Sequence, residues 1–225
     1  MEKKASPNKT ESGGEIASLS KVSGLSEKAL RVIQFVLGFC LLPLVYSTSV
    51  AFLKEFSVIE KSLQQFFWSG VIAFLLIFLF VWELAVIHAW GQRLMEGALG
   101  FFKPLAKAAA YLLPVYALIL FFAYWALTFF KQSPRLTEYF MFFFGFTMAL
   151  HIVLSAYSLR TQSSDFLKGN YILGFSCIFI VNAILLSLLL SLIFIQFSFA
   201  DFFNHSLAAA ENIFYALFKQ LFLMK

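Results

Sequence analysis

Charge is what this chain has least of. Lys, Arg, Asp and Glu together make up 13% of its 225 residues, against about 25% in an ordinary soluble domain. A surface built from so few charged groups cannot keep a globular domain in water. Cysteine is scarce as well: Cys40 and Cys177 both lie inside apolar runs. That excludes a disulfide framework and a CxxC site, and it reads as two buried free thiols packing as small hydrophobes. There are three histidines, His88, His151 and His205, which is meagre for a zinc centre wanting three or four His, Cys or carboxylate ligands. The 11 glycines build no phosphate-cradling loop. No Ser–His–Asp arrangement, internal repeat or voltage-sensing charge ladder is present. The long polar N-terminus lacks a small-residue cleavage site ahead of the first apolar run, so no secretory signal is read there.

What is abundant is apolar. Hydrophobic residues reach 61% of the chain and 31 of them are Phe, gathered in runs long enough to cross a bilayer, for which about 20 residues suffice. The expected fold is all-α: a polytopic transmembrane helical bundle with a C-terminal amphipathic helix. Residues 1–27 are Ser-, Gly- and Lys-rich and read as a disordered cytoplasmic tail, unable to bury enough apolar surface to offset chain entropy. Residues 28–200 form the transmembrane domain, with five spans near 31–53, 66–90, 108–130, 137–159 and 171–197. Pro43 and Pro114 are set to kink the first and third, and Gly38 to permit a close helix contact. Residues 201–225 differ in kind. Phe203, Leu207, Ala210, Phe214, Leu217, Leu221 and Met224 recur at helical spacing, with Asn204, His205, Ala208, Glu211, Asn212, Tyr215 and Lys219 on the other side. Such a stripe suits a helix lying in the membrane interface or against a partner.

The net charge of +5 is modest, and the basic residues sit in loops and tails. We read it as topology, not as nucleic-acid affinity. With the N-terminus in the cytoplasm, 11 of the 17 Lys and Arg residues fall on the cytoplasmic side and six outside, as the positive-inside rule favours.

Three polar side chains interrupt the spans. Glu83 falls in the second, His151 in the fourth and Asn182 in the fifth. At about 1.5 Å per helical residue, Glu83 and His151 both lie roughly 10–12 Å below their cytoplasmic helix ends. If spans two and four touch, a Glu–His pair offsets much of the cost of burying either group. Asn182 is deeper, placed to join that cluster or to bond a neighbouring helix. One reading is a metal or proton site of Glu83, His151 and Asp165, with His88 as a further candidate. The other is a structural polar cluster of Glu83, His151 and Asn182 that fixes helix packing. His88 is five residues from Glu83, on a different helix face, and His205 reads as a polar-face residue of the last helix.

Three segments taken together carry a family resemblance: VWELAVIHAW (81–90), YLLPVYALIL (111–120) and GFTMALHIVLSAYSLRTQSSDFLKGNYILGFSCIFIVNAILL (145–186). In order and membrane placement they resemble the site-2 protease-like family of integral-membrane zinc metallopeptidases, particularly its short bacterial members. The resemblance implies a multi-pass protein of a bacterial inner (cytoplasmic) membrane. In that family an HExxH helix supplies two zinc-binding histidines and a general-base Glu. Here the five matching positions are Trp82, Glu83, Leu84, Ala85 and Val86. Glu83 keeps the base position, Asp165 matches a loop ligand, and both histidine positions are lost. The resemblance therefore implies a family fold with a disabled centre. The vestigial catalytic position is Glu83, with His151 and Asp165 flanking a vacant metal position and no cofactor bound. The function expected is that of a scaffold or accessory subunit, with the lipid bilayer and another membrane protein as partners. Two alternatives stay open: a metallopeptidase holding zinc through an altered ligand set, and a small proton-coupled transporter.

Overall fold

The computed structural model describes residues 11–80, 89–91, 93–94, 97, 112–130, 133–161 and 170–222. Among them there is no strand. The helices are α1 (Glu11–Phe56), α2 (Lys61–Phe80), α3 (Val115–Phe130), α4 (Pro134–Thr161), α5 (Tyr171–Ile193) and α6 (Phe199–Phe222). Four stretches are long and apolar enough to cross a membrane: Lys28–Phe56, Lys61–Phe80, Pro134–Leu159 and Tyr171–Ile193. Val115–Phe130 is a shorter apolar helix. The fold is thus the polytopic helical bundle that composition requires.

Helix ends follow local chemistry. The Gln64 side chain donates to the carbonyls of Ser57 (3.2 Å) and Ile59 (2.5 Å), closing the turn between α1 and α2. Asn170 caps α5 by accepting from the amides of Ile172 and Leu173 at 2.9 and 3.2 Å. Ser198 does the same for α6, accepting from the Asp201 amide at 3.1 Å. These capping bonds satisfy amides that the first helical turn leaves without partners. α5 stops at Ile193, with Phe194 in extended backbone, although apolar residues run on to Phe197. α3 starts at Val115, directly after Pro114, and the expected start of the third span near residue 108 lies outside the described residues. α1 begins at Glu11, well inside the stretch that composition assigns to a disordered tail. A spanning helix already in place removes the nucleation cost, so each added turn needs only the weaker propagation step.

Packing fixes the directions. α2 and α4 lie side by side and run the same way: Phe67 meets Gly145, and Phe74 packs with Phe146, Ala149, Leu150 and Leu154. A Cβ on Gly70 would fall on the Phe142 carbonyl oxygen, and one on Gly145 on that of Phe67. Two backbones are therefore in contact through glycine notches, the close approach that small residues allow in membranes. α1 and α5 also run in parallel, since the Cβ position of Gly38 lies 2.8 Å from the Leu173 amide nitrogen while Phe52 packs on Phe197 near the far end. Gly38 thus makes the close contact expected of it. α6 starts beside the end of α1, packs along it, and so doubles back in the opposite direction.

Candidate functional site

Of the sequence-predicted polar residues, Glu83, His88 and Asp165 lie outside the described residues, as do Trp82 and Val86. His151 is buried on α4, 5% exposed. Spans two and four do touch, over their described lengths. Among the described residues, no three His, Cys, Asp or Glu side chains are grouped so as to hold a metal ion.

Asn182 has a defined role. Fully buried on α5, it donates through Nδ2 to the Leu112 carbonyl at 3.0 Å and to the Ile178 carbonyl at 2.8 Å. Leu112 lies two residues before Pro114; a carbonyl in hydrocarbon needs a donor, and Asn182 reaches across from α5 to provide one. The buried hydroxyls of α1 are handled within the helix instead: Ser47 and Thr48 donate to Leu44, and Ser49 to Val45. Beside Asn182 lies an apolar cavity of about 400 Å³ between α1, α2, α4 and α5, walled by Phe52, Phe67, Trp68, Met148 and Phe179 among others.

A second polar group was not foreseen. At the junction of α1 and α6, His205 Nδ1 lies 3.1 Å from Glu55 Oε1 and its Nε2 lies 2.9 Å from Lys54 Nζ. A lysine ammonium has donors only. Nε2 therefore accepts from Lys54, and Nδ1–H donates to Glu55. The imidazole bridges a lysine and a carboxylate that are neighbours on α1. Nothing in the sequence joins Lys54 and Glu55 to His205, which follows them by 151 and 150 residues.

α6 itself turns an unexpected side to the bundle. Phe202, Ser206 and Ala210 are buried, whereas Phe203 (44% exposed), Leu207 (51%), Phe214 (40%) and Leu217 (41%) face outwards. Asn204, Ala208, Glu211, Asn212, Tyr215 and Lys219 are exposed on the adjoining flank. Of the stripe visible in the sequence, only Ala210 among these is spent on packing. No protein-family model, curated protein or solved structure matches this chain.

Proposed function

We propose that this protein is a non-catalytic, site-2-protease-like membrane scaffold or accessory subunit, which docks another membrane protein through the outward face of α6. The observation that carries this reading is the orientation of that helix: its large apolar side chains point away from its own bundle. Lipid alone would accept the apolar flank. It would not accept the flank bearing Asn204, Glu211, Asn212 and Lys219 beside a spanning helix, because polar groups at membrane depth are costly until paired. A partner helix with its own polar residues satisfies both flanks at once. The loss of both histidines of the HExxH pattern, now Trp82 and Val86, supports a role without peptide hydrolysis. The Lys and Arg distribution supports an N-terminus in the cytoplasm, and the family resemblance supports a bacterial inner membrane.

Photocrosslinking in native membranes tests the docking role. A photoreactive residue at Phe214 is expected to give a discrete protein adduct. The same residue at Phe39, which is exposed on α1, is expected to label lipid only. Lipid adducts alone at both positions would sink the proposal.

A further inference from the structure

The face of α6 that points away from the bundle has a repeat of its own. Asn204, Ala208, Glu211, Tyr215, Phe218 and Phe222 are all exposed, and they follow one another at alternating steps of four and three residues. That is the spacing of a coiled-coil seam, in which one helix meets a second along a narrow stripe at a crossing angle of about 20°. The two halves of the stripe differ. Asn204 and Ala208 are small enough for another backbone to come close, whereas Tyr215, Phe218 and Phe222 present bulky rings. Contact with the bundle does not call for this pattern, since α6 buries a different side, Phe202, Ser206 and Ala210.

Glu211 sets the chemistry of the stripe. It follows His205, which bridges to the last turn of α1, by six residues. At about 1.5 Å per helical residue it lies roughly 9 Å further along α6. α6 runs back along α1, which is apolar enough to cross the membrane over Lys28–Phe56. The carboxyl group is therefore at the depth of a spanning helix, where an acid is costly until it is paired. Its own helix supplies no cation, because the positions three and four residues away are Leu207, Ala208, Phe214 and Tyr215. Among the described residues Glu211 has no ion pair or hydrogen bond.

A second copy of the chain does not meet this need. Copies inserted alike in one membrane present parallel α6 helices, which set Glu211 against Glu211 and Lys219 against Lys219, like charge on like. Acyl chains do not meet it either, as hydrocarbon offers no donor. Resting on the docking role of α6, we propose that this stripe seats one helix of a different membrane protein, carrying an Arg or Lys opposite Glu211. An arginine fits best, because its guanidinium can take both carboxylate oxygens at once.

Energy transfer tests this, between the labelled full chain and labelled, lysine-flanked Leu/Ala transmembrane peptides in phosphatidylcholine liposomes. The peptides differ at one position, about 9 Å inside one end, which holds Arg, Gln or Glu. The Arg peptide should associate about tenfold more tightly than the Gln peptide. Glu211→Gln should erase that preference, and Glu211→Arg should move it to the Glu peptide. Both changes fall on an exposed side chain, so an unchanged thermal transition separates a lost pair from lost folding. Equal association of the Arg and Gln peptides with the wild-type chain would overturn the proposal, as would a preference that survives Glu211→Gln. Transfer between two labelled copies of the chain, stronger than transfer to the Arg peptide, would overturn it in favour of self-association. A discrete protein adduct at Phe214 beside any of these overturning results would strike the choice of partner and leave the docking role standing.

Discussion

The α2–α4 seam and the α1–α6 seam solve the same problem in opposite ways. Between α2 and α4, Gly70 and Gly145 let backbones touch, and phenylalanine side chains from both helices, Phe67, Phe74 and Phe146, fill the flanks. The contact is dry, aromatic and fixed by shape. Between α1 and α6 the buried surface of α6 is small, centred on Phe202, Ser206 and Ala210, and the seam is pinned at one end by the Lys54–His205–Glu55 bridge. Hydrophobic burial does not choose the buried face of α6. If it did, Phe203, Leu207 and Phe214 would point inwards. In a bilayer, apolar side chains are as comfortable against lipid as against protein, so the buried face is the one where Ser206 and Ala210 allow close approach beside Phe202. One seam holds the bundle together, and the other holds a helix in a position to present its larger side chains elsewhere.

Breaking the first seam should have the largest effect. Gly145→Ala places a methyl group on the Phe67 carbonyl oxygen, and backbone offers no rotamer to swing away. We expect about 1–3 kcal/mol of destabilisation from such overpacking, read as a lowered thermal transition of the detergent-purified protein. Gly97→Ala is the matched control, because nothing lies within 4 Å of a Cβ there. Equal transitions in the two variants would mean that the α2–α4 contact is not the tight one.

An intermediate effect is expected from Ala210→Leu. The added side chain enters the narrow seam between α6 and α1, at a position 4% exposed. The cost should be about 1–2 kcal/mol, at the lower end for overpacking because α6 has lipid or solvent on its other sides. Unlike the glycine variant, this one should release α6 and leave α2 and α4 protected. Hydrogen exchange separates the outcomes: faster exchange over 199–222 alone agrees with two independent seams, and faster exchange over α4 as well would show that they are one.

How much of this was legible in advance depends on the range of the signal. The spans are written locally, as runs of about 20 apolar residues, and the helices Lys61–Phe80, Pro134–Thr161 and Tyr171–Ile193 fall on such runs. Local chemistry marks the helix ends as well: Phe194 is extended after α5, and Ser198 caps the start of α6. The period of α6 was equally plain. Its orientation was not, because hydrophobicity ranks Phe214 above Ser206, whereas close packing in a membrane ranks them the other way. Gly70 and Gly145 gave no sign of facing each other until the register of α2 on α4 was known. The bond from Asn182 to the Leu112 carbonyl was foreseen only as one of two choices, since a deep amide in a span needs some partner but the sequence does not name it.

The smallest effect should come from the bridge that pins the second seam. His205→Ala removes both contacts to α1, yet the histidine side chain is 41% exposed. The Glu55 side chain is itself only 9% exposed, but losing the half-exposed ring opens its carboxylate to water, and pairs open to water are typically worth about 0–1 kcal/mol. The global thermal transition should hardly move. What should change is local: amide exchange near the start of α6, over Phe202–Ser206, should accelerate while the Ala210 turn stays protected by its packing. His205→Gln sharpens the test, because its amide can still donate to Glu55 and should recover part of the protection. If His205→Ala instead lowered the transition as far as Gly145→Ala, the α1–α6 seam would be held by its polar end and not by shape, and the contrast between the two seams would fail.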